Sequence, residues 1–224
     1  MNEDAQTHQS IYYNPTHPAS YGGAARLSRA SGIPVKRVEV WLRGQRSYTL
    51  HRPARKAGYK TRPYRTGGVD QQWQSNLVDM QVEAKYNNGY QYILTVIDIF
   101  SRYAWARPIK TKSPQHVKIG FDDIFSASNR KPLKLQTDQG LEFESNTMRE
   151  YFNNLPIHQF SVKSQFKAAI VERFNRTLKT KMWNYFTYAN TRKWLDVLPK
   201  LVSGYNKAVN RGIDMAPEDV DDEE

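Results

Sequence analysis

Residues 90–100 read YQYILTVIDIF, eleven positions dominated by β-branched, aliphatic and aromatic side chains. Asn87-Asn88-Gly89 closes the run on one side and Ser101-Arg102 on the other, so it reads as a buried strand between two turns. Similar runs flank it, NLVDMQV at 76–82 and RYAWARPI at 102–109, and together the three form a meander. Downstream the period changes to that of a helix over Ser113 to Ser126, with Val117, Phe121, Ile124 and Phe125 on one side. KLQTD (134–138) and HQFSV (158–162) supply two further strands around a helix at Asn146 to Asn154. Three consecutive strands followed by alternating helix and strand predict an α/β domain with a mixed five-stranded sheet and flanking helices.

The next helix is AAIVERFNRTLKTKMW, residues 168–183. At about 100° per residue, Val171, Phe174, Leu178, Met182 and Tyr185 form a core-facing stripe, while Glu172, Arg176, Lys179 and Trp183 share another side. A lone acid among cations has a bland reading, an i, i+4 pair worth a few tenths of a kcal/mol on a solvated face. TRKWLDVLPKLVSGYNKA supplies a last helix, which Pro199 kinks or splits.

The N-terminal third differs. Residues 1–20 are polar and expected to be disordered. GGAARLSRASGIPVKRVEVWLRGQ (22–45) reads as a helix to about Ser31, a turn at Gly32, and a second helix with Pro34 at its first position. Val35, Val38 and Leu42 share a face there, leaving Lys36, Arg37 and Arg43 exposed as candidate DNA contacts. That assigns 21–50 to a small helix-turn-helix-like module, a pattern any helical hairpin can imitate. HRPARKAGYKTRPYRT holds six Lys/Arg and no acid, so 51–70 reads as a basic linker that can track phosphates or serve nuclear import. The α/β core occupies 71–210, and 211–224 is a disordered acidic tail with six acids in its last seven residues.

Composition narrows the function classes. The 224 residues carry a net charge of +11, with twelve Lys/Arg against four Asp/Glu in the first 70, which points to a polyanionic partner such as double-stranded DNA. The absence of cysteine excludes disulfides and cysteine-ligated zinc. His8, His17, His51, His116 and His158 are scattered without metal-ligand spacing. No apolar run can cross a bilayer and MNEDAQTHQS is not a signal peptide, so an intracellular, soluble protein is expected, in the nucleus or associated with a virus or element.

Three acids stand out. Asp79 falls at the centre of an apolar strand, where a carboxylate is costly without a cation. Asp138 ends the fourth strand in TDQG, a place where a turn former also fits. Glu172 opens its helix. Carboxylates from two strands and a helix can converge at one sheet edge, and a hard divalent cation relieves their repulsion.

These residues carry a resemblance. LVDM, VIDIFSRYAW, LQTDQGLEF and VERFNRTLK resemble the catalytic core of retroviral integrases and DDE transposases, with its ribonuclease H-like fold. YYNPTHPASYGG, WLRGQRSYTLHRP, WQSNLVDMQ, KTKMWNYFT and NTRKWLDVLPKLVSGYN are similar to integrases of the Polinton or Maverick transposons, a likeness extending over residues 11–219. The resemblance implies that Asp79, Asp138 and Glu172 hold two Mg²⁺ or Mn²⁺ ions, which activate a water and then a DNA 3′-hydroxyl for attack on a phosphodiester. It implies that Arg176 and Lys179 clamp phosphates, that Asn175 orients a phosphate or base, and that a homo-oligomer holds two element ends on target DNA. Asp98 is expected to bond backbone or Ser101 rather than metal, and Trp105, Trp183 and Trp194 to pack in the core. The 33 residues between Asp138 and Glu172 are slightly fewer than in retroviral integrases, shortening the loop SVKSQFKAA. Many Polinton relatives continue into a chromodomain, so stopping after APEDV leaves chromatin targeting absent or delegated. The expected function is a metal-dependent DNA strand transferase; the alternative is a captured integrase that binds DNA without catalysis. A plain ribonuclease H has no support.

Overall fold

The computed structural model describes residues 3–51, 66–161 and 168–221. In chain order the elements are α1 (Glu3–Tyr12), α2 (Ala24–Ser31), α3 (Val35–Arg43), α4 (Arg46–Leu50), β1 (Gln72–Asp79), β2 (Tyr92–Asp98), β3 (Ala104–Ile109), α5 (Pro114–Ser128), β4 (Lys134–Thr137), α6 (Leu141–Glu144), α7 (Asn146–Asn153), β5 (His158–Ser161), α8 (Ala169–Ala189) and α9 (Leu198–Asn206). They divide into two compact units, Met1–Pro63 with Thr177–Val209 and Tyr64–Arg176 with Asn210–Glu224. A single core over 71–210 is therefore redrawn. The later turns of α8, with α9, belong with the N-terminal helices.

In the second unit the sheet order is β3-β2-β1-β4-β5. β1, β2 and β3 form the expected antiparallel meander, and β4 and β5 add in parallel to β1. One face carries the apolar core, in which Trp73, Leu94, Val96 and Leu135 from strands meet Phe121, Phe143 and Phe152 from helices. α5 starts where Ser113 accepts from the His116 amide, with Pro114 in the first turn. Asp98 is fully buried and accepts from Ser101 Oγ at 2.6 Å and from the amides of Phe100 and Ser101 at 3.2 Å, as expected. Burial pushes its pKa up, against those hydrogen bonds and the Arg130 charge.

β1 differs from the expected 76–82 run. It starts at Gln72, ends at Asp79, and gives way to a 3₁₀ turn over Gln81–Tyr86. The apolar Val78 and Met80 on either side of Asp79 are buried, but Asp79 itself is exposed. Its carboxylate accepts from the Gln81 amide and from Gln81 Nε2, each at 2.9 Å. A strand-end carboxylate that starts a turn needs no metal to stabilise it.

The helical unit overturns the expectation of a disordered 1–20 segment. α1 spans Glu3–Tyr12, and His8 and Tyr12, one turn apart, pack against Trp41 with ring centroids at 5.1 and 5.5 Å. Polar composition concealed this aromatic pair. α2 and α3 form as expected around Gly32, whose φ of 71° suits glycine. Pro34 occupies the cap position rather than the first helical one, and Val35 is exposed while Val38 and Leu42 are fully buried. From α8, Leu178 and Met182 are buried; Tyr185 is only half-buried, and Phe186 completes the stripe. Pro199 stands in the first turn of α9 and so starts the helix instead of kinking it. Trp194 is fully buried and Trp183 half-buried beside Phe186.

Within 211–221 the expected disordered tail includes a bridge between Asn210 and Met215 and a 3₁₀ turn over Pro217–Asp219. Residues 52–65 of the basic linker, 162–167 of the loop before α8, and 222–224 lie outside the described residues. Among those described, no helix is long and apolar enough to cross a membrane.

Candidate functional site

The parallel pair β1 and β4 directs both strand C-termini to the same sheet edge. Gln74 on β1 is fully buried, and its Oε1 accepts from the backbone N–H groups of Ile170 and Val171, each at 3.1 Å. These are among the donors at the start of α8 that no helical carbonyl can reach, so a strand side chain replaces the usual Ser, Thr or Asp cap. Gln74 Nε2 donates to Gln136 Oε1 on β4 at 3.0 Å, and Gln72 Nε2 donates to the same oxygen at 3.4 Å. Three glutamines thereby fix where the first turn of α8, and Glu172 with it, meets the sheet.

Strand alternation then sorts the acids. Gln74 is level with Gln136 in the parallel register. Carried two residues further, that register sets Asn76, on the Gln74 face, level with Asp138, the first residue past the end of β4, with neighbouring strands about 4.8 Å apart. Asp79 lies three residues beyond Asn76, about 10 Å along the strand, and by parity falls on the opposite face with Trp73 and Leu77. By register and parity, Asn76 lies on the face to which Gln74 holds the first turn of α8, near the end of β4 where Asp138 follows, and Asp79 lies on the other face. Thr95 Oγ1 donates to the Asn76 carbonyl oxygen at 3.1 Å and fixes the backbone there. Counting alternation from Trp73, the first large apolar residue of β1, would have shown Asn76; starting the strand at Asn76 concealed it.

Acids crowd this edge. The Asp138 carboxyl is held above the usual range by partial desolvation and then by the Glu142 charge, against the amide of Gly140. Glu144 accepts from Ser161 Oγ at 2.6 Å, which ties α6 to β5. Glu172 is half-buried.

Residues 68–163 match the integrase core domain family. A transposon-derived protein of Caenorhabditis elegans is 39% identical over 137 residues, covering 61% of this chain and 48% of that protein. The match thus spans about half the length of that relative. Among solved structures, the HTLV-2 integrase catalytic core domain in complex with magnesium superposes with a TM-score of 0.56 at 18% identity, over 66% of this chain and 94% of that one. The simian T-cell lymphotropic virus intasome gives a TM-score of 0.63 at 17% identity, over 96% and 73%. The sheet with its flanking helices is the ribonuclease H-like fold of integrases.

The divalent-cation site expected from the resemblance to integrases needs several anionic oxygen ligands at one point. Among the described residues no three of His, Cys, Asp and Glu come together closely enough to hold a metal ion. The position facing Asp138 is Asn76, a neutral amide whose Oδ1 can ligate but brings no charge. Of the expected set only Asp138 and Glu172 bring a carboxylate from this face, and with a neutral amide in the third position the residues present do not fit the expected three-carboxylate, two-ion site.

The cations expected to meet DNA in an integrase are distributed as follows. Lys36 and Arg43 are exposed on α3, and Arg37 is ion-paired with Asp4 of α1. Arg176 and Lys179 are exposed on α8. Asn175 is half-buried, and its Oδ1 is enclosed without a hydrogen-bond partner among the described residues.

Proposed function

We propose that this chain is an integrase-type protein of a mobile element, of the Polinton kind, that binds double-stranded DNA in the nucleus or in an element particle and multimerises to hold two ends together. The supporting observation is the helix docked by Gln74. Its first turn, held by Gln74, contains Glu172, and its exposed Arg176 and Lys179 lie one and two turns further on. Cations at that spacing along one helix can neutralise successive phosphates. Trimming of 3′ ends and their joining to target DNA is the reaction that the resemblance to integrases implies, and Asp138 with Glu172 favours it. Asn76 favours a captured protein that holds DNA without cutting it, and the donor set supports this second reading better.

The test is binding of a fluorescent duplex at several salt concentrations. The expected result is sub-micromolar affinity at low salt, with a log–log salt slope that falls by about one for each of Arg176→Ala and Lys179→Ala. No binding at any salt, or unchanged slopes in both variants, would rule out this surface.

A further inference from the structure

We infer that Asn76 alone withholds a divalent-cation site from this chain, so that the wild-type protein takes up no tightly bound pair of ions and Asn76→Asp does. The inference rests on the DNA-holding reading above and deepens it.

Parity and register place it. Asn76 shares the face of Gln74, whose neighbour Gln136 is level with it on β4, and Asp138 lies two residues past Gln136. The same Gln74 side chain donates to Gln136 and holds the first turn of α8, so one connected set of hydrogen bonds ties together the residues beside Asn76, Asp138 and Glu172. Asn76 is the neutral member of this group. Its amide has the shape of a carboxylate and differs by one atom and one charge. Its backbone is held by Thr95, and its side chain is only half-buried, so an aspartate fits without repacking. Asp79, the nearest acid on β1, cannot substitute. It falls on the other face, and both its oxygens are engaged by Gln81.

Charge explains the size of the effect. A cation pair carrying four positive charges needs anionic ligands to leave water, and affinity for hard cations follows the count of charged ligands. Removing one of three carboxylates costs roughly ten- to a hundredfold in affinity, on the scale by which even outer-shell partners change metal binding.

Mn²⁺ titration calorimetry and Mn²⁺-dependent melting, on the whole chain with and without duplex, test this in wild type, Asn76→Asp, Asp79→Asn and Asn76→Asp/Glu172→Gln. Asn76→Asp is expected to bind Mn²⁺ at least tenfold more tightly than wild type, and Glu172→Gln to cancel the gain. Asp79→Asn is expected to titrate as wild type does. Nicking is expected only of Asn76→Asp: a water oxygen joins phosphorus, the P–O3′ bond breaks, the leaving 3′ oxygen takes one proton and the second goes to solvent.

Wild type taking up two ions as tightly as Asn76→Asp overturns the inference, as does loss of wild-type uptake in Asp79→Asn. A folded Asn76→Asp that binds no better than wild type overturns it too. Should Asn76→Asp fail to fold, the wild-type and Asp79→Asn titrations decide alone. A chain that binds no duplex but shows the expected Mn²⁺ ranking refutes the DNA-holding function and leaves the assignment of Asn76 standing.

Discussion

Gln74 Oε1 lies 3.1 Å from the backbone nitrogen of Val171, a contact across 97 positions of sequence that ties the central strand to the start of α8. Replacing Gln74 with Leu keeps the volume but strands the N–H groups of Ile170 and Val171 and leaves Gln136 with one donor fewer. Each buried donor left unpaired costs about 1–3 kcal/mol, so Gln74→Leu is expected to lose about 2 kcal/mol or more, a fall of roughly 5 °C in melting temperature. Gln74→Glu keeps the acceptor at the positive end of a helix and is expected to lose less. A Gln74→Leu protein that melts like wild type would show that α8 is held elsewhere.

Arg130 performs a comparable task on the core side. Its Nη2 is 2.7 Å from Asp70 Oδ1 and 3.4 Å from Asp98 Oδ2, and its guanidinium lies over the rings of Trp73, Tyr103 and Trp105. Arg130→Met leaves the Asp98 charge buried without its cation, at an expected cost of about 3–5 kcal/mol in denaturant unfolding. The pH dependence has a definite sign. The folded-state pKa of Asp98 is already raised, chiefly by burial, and losing Arg130 raises it further. A raised carboxyl contributes stability below its ordinary pKa and loses it as pH climbs through the folded value. The deficit of Arg130→Met is therefore expected to be largest at neutral pH and to narrow toward pH 4. A deficit independent of pH would mean that Arg130 acts through packing alone.

The sheet was legible because its strands are carried by runs with few exceptions to the apolar pattern. YQYILTVIDIF became β2 with every residue buried from Tyr92 to Asp98, and the Asp98–Ser101 contact followed from the turn beside it. The site was half legible. Asp138 and Glu172 stand out at the ends of their elements, whereas an acid between apolar residues draws attention to Asp79 and a neutral amide draws none to Asn76. Only the register with β4, a nonlocal fact, separates them. α1 was missed because its burial depends on Trp41, nearly thirty residues away, and composition has no knowledge of partners.

Lys181 supplies a prediction in the helical unit. It is buried on α8, donates to the Ser20 carbonyl oxygen at 2.6 Å and to Ser20 Oγ at 2.8 Å, and burial lowers its ammonium pKa to about 7. An unfolded lysine holds its proton to about pH 10.4, so between these values the unfolded chain binds more protons and stability rises with pH. Wild type is expected to gain stability from pH 7 to about pH 10, and Lys181→Met to show a flatter profile. Parallel profiles in urea unfolding would mean that Lys181 keeps its ordinary pKa.

The basic helix α3 divides into cations with different duties. Arg37 is paired with Asp4 of α1, whereas Lys36 and Arg43 are exposed on the same helix. If α3 meets a duplex, an exposed cation is available to displace a counterion from phosphate, while Arg37 must first give up a carboxylate. Lys36→Ala and Arg43→Ala are each expected to lower the salt slope of duplex binding by nearly one unit and to leave the melting temperature within about 2 °C of wild type, as for ordinary surface substitutions. Arg37→Ala is expected to change the slope by less, and Asp4→Ala, which releases Arg37, to steepen it. The four variants form one series measured by the same anisotropy titration. Equal losses from all three cations, with no effect of Asp4→Ala, would show that the ion pair does not restrain Arg37 on DNA. No loss from any of them would remove α3 from the interface and leave α8 as the element to test next.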